Sequence, residues 1–336
     1  MTTTPPEPPS PIRVVFALLE DSLALDWAGP AEALRIANQL LVARGQAPRF
    51  QLEFAAGRPA LRSSVGVTLA RLSPLPTAWD ERPAWIVLVG QPGNRIDVST
   101  EGARELLHWL RGQRLAPGRL ELLAVCAGSV LAAHAGLLAG RHATTHHQHL
   151  EELAATEPAC DVVANRVFVL DPPVYSSAGV TTGIDLVLHR VAALCGEALA
   201  AQVAQTMVMP LRRGPRDAEL SPFLLHRDHL HPAVHRVQDA LSQAPRQPWP
   251  LAAMADVAHT SPRHLARLFA EHAGISPKAY LQSIRLGIAQ TALQAGHSVT
   301  QTAELAGFAS DTQLRRAWRA GGLAGRPSDQ ATPLSR

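Results

Sequence analysis

Four short apolar runs, Ile12–Leu18, Phe50–Ala55, Trp85–Gly90 and Leu120–Val125, recur along the first 125 residues, with amphipathic stretches long enough for helices between them. Strands that are apolar throughout, rather than alternating, suit a parallel sheet buried on both faces. Parallel neighbours need crossover connections, and the intervening stretches supply them. Helices are expected over 30–43, 100–111, 129–139, 182–195 and 199–208. Pro30 sits where a first helical turn tolerates proline, and Gly140 follows the last apolar residue of the third stretch. Val167–Leu170 and Val174–Ser177 read either as a strand pair or as one strand interrupted by Pro172 and Pro173.

Beyond residue 210 the strand-like runs stop. The polar, proline-bearing segment LRRGPRDAELSP predicts a linker over 211–230, and the sequence after it reads as helices only, at about 233–243, 250–258, 262–272, 277–295, 299–306 and 311–320. The organisation expected is a disordered tail at 1–11, an α/β domain at 12–210, the linker, and an all-helical domain at 231–330. A length of 336 residues is enough for two separate cores.

Charge divides along the same line. Residues 231–336 hold 11 Lys and Arg against 6 Asp and Glu, a net of +5, within a chain whose total is +3. A basic excess on one domain suits a polyanionic partner, though five charges need a motif behind them. No apolar run approaches the ~20 residues of a membrane span. The tail MTTTPPEPPSP lacks the basic start and apolar stretch of a secretory signal, so a cytoplasmic location is expected. Cys126, Cys160 and Cys195 are an odd number without metal-ligand spacing and are expected as reduced thiols.

The helical domain contains a near-repeat. Ala255-Asp256-Val257-Ala258, followed by Leu265, Arg267 and Phe269, recurs as Ala303-Glu304-Leu305-Ala306, followed by Leu314, Arg316 and Trp318. The offset grows by one residue across the turn. Ser261, with Pro262 after it, is expected to cap the second helix of the first copy, and Ser310 or Asp311 that of the second, with Gly307 in the turn. Leu265, Leu268 and Phe269, and Leu314, Ala317 and Trp318, form the inward stripes. Arg263, His264 and Arg267, and Thr312, Arg315 and Arg316, then face outward, where such side chains reach base edges or phosphates from a helix in the major groove.

The segment from Leu251 to Ala320 resembles the AraC-type DNA-binding domain, on the marks S-P-R-H-L-x-R-x-F, G-I-S-P-x-x-Y-L and A-x-L-A-G-F followed by L-R-R-A-W. The resemblance implies two reading helices in successive major grooves of promoter DNA, joined by the helix at about 277–295, with Arg263, His264 and Arg267 on the first and Thr312, Gln313 and Arg316 on the second. The sequence departs from the family near its end, where AGGLAGRPSDQ places Gln330 at the position of a usual aromatic. A less firmly packed second unit is expected from that departure.

In the first domain, LLAVCAGS is an apolar strand breaking into a helix at Cys126-Ala127-Gly128. A residue at such a turn is thrust out at the carboxyl edge of the sheet. The following helix terminus is expected to lower its thiol pKa, and ligands of open sheets collect at the same edge. A cysteine between apolar neighbours also suits plain packing. The stretch VCAGSVLAAHAGLLAGRHATTHHQHLEEL, with LALDWAGPAEALRIAN and SSAGVTTGIDLVLHRV, resembles the PfpI-type, class-I amidotransferase-like domain in the version of isonitrile hydratases and GlxA-type regulators. That implies a flavodoxin-like open parallel sheet, Cys126 at the elbow and Asp26 as its acidic partner. Where catalytic members carry a histidine after the elbow cysteine, this chain has Ala127. Gly90, in the turn Gly90-Gln91-Pro92-Gly93, and His146 complete the expected ligand pocket.

Two histidine groups, His146/His147/His149 and His226/His229/His231/His235, lack accompanying carboxylate or cysteine spacing of a metal site, so neither metal nor cofactor is expected. The resemblances together imply a GlxA-type transcriptional regulator: a homodimer, an activator meeting RNA polymerase by family habit, answering a small nitrogenous effector. A cysteine enzyme of the isonitrile-hydratase or amidase kind with a vestigial DNA-binding tail is the first alternative. A redox switch at Cys126 is the second.

Overall fold

The computed structural model describes residues 10–209, 212–215, 217–294, 296–323 and 325–330. Most of the expected disordered tail, residues 1–9, lies outside them. The chain divides into two compact units, Met1–Glu219 and Leu220–Arg336.

Along the first unit run β1 (Ile12–Ala17), α1 (Ala24–Ala43), β2 (Phe50–Ala55), β3 (Ala60–Arg62), β4 (Thr68–Ala70), β5 (Ala84–Leu88), α2 (Glu101–Arg111), β6 (Leu120–Val125) and α3 (Gly128–His134). They are followed by β7 (His142–Ala143), α4 (Leu150–Thr156), β8 (Asp161–Val162), β9 (Phe168–Asp171), β10 (Val174–Ser177), α5 (Thr182–Cys195) and α6 (Glu197–Thr206). The main sheet has the order β2-β1-β5-β6-β10-β9. All its pairs are parallel except β10 with β9, which settles the open question at Pro172 and Pro173 in favour of an antiparallel strand pair. Val14 lies beside both Leu52 and Trp85, and Leu88 beside Ala124. Every residue of β5 and β6 is buried, which is the physical cause of their near-continuous apolar character.

One buried residue breaks that rule and is paid for locally. Glu121 in β6 accepts from Trp85 Nε1 at 3.0 Å and Tyr175 Oη at 3.1 Å, and is ion-paired with Arg190 of α5. The guanidinium of Arg190 stacks 4.2 Å from the Tyr175 ring centre.

Helix boundaries differ from expectation in two places. Helix α1 starts at Ala24, so Pro30 lies inside it rather than in its first turn. The close packing of α1 on α5 accounts for the tolerance: a Cβ on Gly29 would lie 2.8 Å from Ile184, and one on Gly183 would lie 3.3 Å from Pro30. Helix α3 stops at His134, not 139, because Gly136 takes the left-handed conformation and closes it, with Gly136 N–H on Ala133 O and Leu137 N–H on Ala132 O. The pairs β3–β4 and β7–β8 and helix α4 fell in stretches that the apolar pattern left unassigned.

The segment expected to begin the linker is folded onto the first unit. Arg213 makes a two-point contact with the buried carboxylate of Asp185, at 2.9 and 2.7 Å, and Asp217 O accepts from Val167 N–H.

The second unit comprises α7 (Pro232–Gln243), α8 (Leu251–Val257), α9 (Pro262–Ala273), α10 (Pro277–Gln294), α11 (Val299–Leu305) and α12 (Asp311–Ala320). It has two cores. Val234, Leu241, Met254, Leu265, Phe269, Tyr280 and Ile284 form the first, and Leu286, Ala289, Leu293, Ala303, Leu314 and Trp318 the second. Helix α10 supplies residues to both. The second core is closed by buried Trp318, by Leu323 against it and by buried Pro327 in a short turn beside α10, so the unusual tail still packs.

Candidate functional site

The carboxyl ends of β1, β2, β5, β6 and β10 converge on one edge of the first unit. Cys126 follows β6 with φ of 58°, a left-handed backbone that a side chain adopts only under constraint. The constraint comes from both sides. A Cβ on Gly90 would lie 2.9 Å from Ala127 N, one on Gly179 2.2 Å from Cys126 Cβ, and one on Gly128 2.2 Å from Leu88 O. Cys126 N–H donates to Ser177 O, and Thr145 Oγ1 donates to Cys126 O at 2.8 Å. Here glycine is required at 90, 128 and 179 because the elbow is packed backbone to backbone.

Asp26, in the first turn of α1, reaches the same place. Its Oδ1 accepts from Val180 N–H at 2.7 Å while its Oδ2 is buried without a hydrogen-bond partner. Burial pushes its pKa up to about 6, against the lowering effect of the Val180 and Gly90 N–H groups and the Cys126 thiol. The thiol is driven upward too, first by burial and then by the neighbouring Asp26 carboxylate. The expected lowering by the helix terminus is overturned: α3 has only seven residues, and a side chain 3% exposed beside an acid 1% exposed gains more from staying neutral.

The structure brings Cys126, Asp26, Gly90 and Ala127 together, but as a buried layer rather than as the walls of an open pocket. The cavity lies next door. About 420 Å³ opens at the ends of β1, β2 and β5, lined by Leu19, Glu20, Asp21, Arg58, Gln91 and Arg95 among others, and by the first turn of α2. Strand β1 connects outward to β2 on one side while pairing with β5 on the other, so this is where strand order reverses and ligands of open sheets bind. The lining carries both signs of charge, with Arg58 bonded to Glu101 at 2.9 Å. Gly90 touches the elbow, and its successors Gln91 and Pro92 line the cavity.

His146 is half-buried on the other side of the elbow. Burial, with His147 and His149 nearby, pushes its pKa down to about 4, leaving a neutral ring. Beside it stands Glu219, which sequence reasoning placed in the linker. The Glu219 side chain is 6% exposed, accepts from His147 N–H at 3.1 Å, and lies 2.8 Å from His147 Nδ1. Its charge also bears on Cys126. No local pattern marks it; it arrives from 72 residues away.

In the second unit the repeat is repeated geometry. His259 N–H bonds Asp256 O and Thr260 N–H bonds Ala255 O; Gly307 N–H bonds Glu304 O and Phe308 N–H bonds Ala303 O, the same turn in both copies. His259 and Gly307 occupy the same left-handed position, at φ of 55° and 79°. Glycine is needed in the second, where a Cβ would lie 2.7 Å from Arg246 Cα. Ser261 caps α9 by accepting from His264 N–H, and Ser310, not Asp311, caps α12 by accepting from Gln313 N–H. Arg263, His264 and Arg267 of α9, and Thr312, Gln313, Arg315 and Arg316 of α12, are all exposed on the faces opposite the cores. Arg267 Nη2 lies 3.1 Å from His264 Nδ1, and Gln313 Oε1 accepts from Ala309 N–H at 2.6 Å.

Comparison with known proteins adds to this geometry. A sequence profile described as "DJ-1/PfpI family" matches residues 13–193, and one described as "Helix-turn-helix domain" matches residues 254–321. The HTH-type transcriptional regulator GbdR of Pseudomonas aeruginosa is 27% identical over 335 residues, covering 98% of this chain and 87% of its own. The HTH-type transcriptional regulator GlxA of Rhizobium meliloti is 27% identical over 309 residues, covering 91% and 92%. Among solved structures, an AraC family transcriptional regulator from Pseudomonas putida superposes with a TM-score of 0.49 at 24% identity, over 59% of this chain and 100% of that one.

Proposed function

This chain belongs to the DJ-1/PfpI family, with a helix-turn-helix domain after the family domain, and we propose that it is a transcriptional regulator that binds promoter DNA under the control of a small molecule held by the α/β unit. The observation that carries this reading is the duplicated turn of the second unit. Two capped helices, α9 and α12, each present exposed basic and polar side chains from its own core, and one continuous helix, α10, belongs to both cores. Such a pair can enter two grooves on one face of a duplex, with Arg263, His264, Arg267, Thr312, Gln313, Arg315 and Arg316 as the reading surface.

The effector's place is the cavity at the ends of β1 and β5. Its mixed lining, with Arg58, Arg95 and the α2 terminus against Glu20 and Asp21, suits a small polar molecule bearing an ammonium group and an anionic group. Cys126, Asp26, Gly90 and Ala127 would act from beneath by fixing the backbone that leads into Gln91. An effector shifts DNA affinity only as far as it binds one state better than the other.

The left-handed elbow of Cys126 favours a second reading, a cysteine enzyme; the buried, raised thiol weighs against it. Cys126→Ser would leave promoter binding and effector response intact while abolishing turnover if that second reading holds.

Fluorescence-anisotropy titration of the full-length protein against DNA from upstream of its own gene, with scrambled DNA as control, tests the main reading. Preference for upstream DNA should relax by about 1–3 kcal/mol in Arg267→Ala or Arg316→Ala. Weak binding, equal for all sequences and indifferent to both arginines, would sink it.

A further inference from the structure

His146, His147 and Glu219 are brought together by a fold that joins a loop after β7 to the last residue of the first unit. Each offers one donor atom, and the three atoms lie within 4.8 Å of one another. The two rings are tilted at 37° with centres 4.1 Å apart, and the ring of His149, centred 6.3 Å from that of His146, is itself anchored by Glu152 at 2.7 Å.

A hydrogen bond from His147 explains only half of Glu219. Its Oε1 has that partner, but its Oε2 is buried with no hydrogen-bond partner at all. A carboxylate tucked away with one oxygen unsatisfied is costly, and among the described residues its ion-pair partner is His147 alone. A bridging cation would satisfy that oxygen. Two imidazoles and one carboxylate with an open side are the donor set of a first-row divalent metal, Zn²⁺ above all, rather than of Mg²⁺ or Ca²⁺, which take oxygen ligands.

We propose that His146, His147 and Glu219 form a binding site for a zinc-class divalent metal ion beside the Cys126 elbow, with the remaining coordination open to water or a small ligand. The site differs from the switch-point cavity in position and in chemistry, and it does not depend on DNA binding. It also supplies the carboxylate that the local spacing of the histidines does not offer.

The test uses full-length protein stripped with chelator, titrated with Zn²⁺ against a competing chromophoric chelator and, separately, with Co²⁺ read by its visible ligand-field absorption. Wild type should take up one equivalent of Zn²⁺ per chain and show the Co²⁺ bands. Glu219→Gln and His146→Asn should each weaken binding at least about tenfold, the smaller effect expected even of an outer-shell partner, and remove the bands. His146→Asn leaves the His147–Glu219 hydrogen bond in place, so it reports even if Glu219→Gln fails to fold. A His229→Asn/His235→Asn double variant should bind as wild type does. Binding that is absent in wild type, that survives both Glu219→Gln and His146→Asn, or that disappears only with His229 and His235, overturns the proposal.

Discussion

The backbone N–H of Val180 donates to Oδ1 of Asp26 across 2.7 Å. Val180 is a β-branched residue with φ of 53°, a conformation that costs roughly 1–2 kcal/mol without support. The Asp26 carboxyl group is that support, and it holds the loop after β10 down over Cys126. Burial penalises its ionised form more than these neighbours favour it, so the brace is itself strained.

That strain makes stability depend on pH. Folded Asp26 keeps its proton up to about pH 6, whereas an ordinary carboxyl near 3.8 has lost it. Its contribution is therefore full below pH 3.8 and is lost as pH rises through 6, by up to about 3 kcal/mol. Asp26→Asn, neutral throughout, should flatten this slope. The thermal midpoint of wild type should fall more between pH 5 and pH 7 than that of the variant; parallel curves would refute the assignment.

Gly179→Ala should destabilise the first unit by roughly 2–4 kcal/mol, combining a left-handed backbone with overpacking against Cys126. The added methyl would meet both Cβ and Sγ of Cys126, at 2.2 and 2.7 Å. In a Cys126→Gly background the penalty should shrink, whereas Cys126→Ser should not relieve it. Urea midpoints of wild type, Gly179→Ala, Cys126→Gly and their double variant give the coupling directly, and additive effects would mean the two residues do not press on each other.

Thiol labelling should discriminate among the cysteines. Cys126 is buried and its thiol raised, while Cys195 is only half-buried. In native protein at pH 8 a disulfide reagent should label Cys195 faster than Cys126, and denaturant should equalise them. Rapid labelling of Cys126 in the native state would instead revive the enzyme and redox-switch readings.

The two turns of the helical unit should respond oppositely to exchange. His259→Gly places glycine where the backbone is already left-handed and should be stabilising by roughly 0.5–1 kcal/mol. Gly307→Ala adds a Cβ 2.7 Å from Arg246 Cα and should cost more than about 2 kcal/mol. Melting of the second unit followed by circular dichroism checks both signs.

What could be read in advance follows from the range of the interactions. Helix caps are local, so Ser261 was legible from spacing alone, as were the stripes ending in Phe269 and Trp318; spacing left Ser310 and Asp311 as alternatives at the second cap, and the hydrogen bond from Gln313 N–H decides for Ser310. The strand into Cys126 was legible because burial on both faces leaves an apolar run broken only by Glu121. Helix α3 was overextended because two glycines competed as its end, and the apolar Leu137 just after Gly136 was the overlooked signal. The thiol's protonation was misjudged because it depends on total burial, a sum over the whole edge of the sheet. Glu219 and the lining of the cavity come from loops separated in sequence, and no periodicity reports which loops will meet.

Helix α10 gives Tyr280, Leu281 and Ile284 to the first core and Leu286, Ala289 and Leu293 to the second, and its rise of about 1.5 Å per residue spans both. One residue inserted between Ile284 and Leu286 would turn one core relative to the other by about 100° and carry its reading helix around with it. The helix is thus a ruler as well as a wall. Insertions and deletions should be excluded from α10, so that, with α9 and α12 as the proposed reading helices, the spacing of the sites they read is inherited with the length of a single helix.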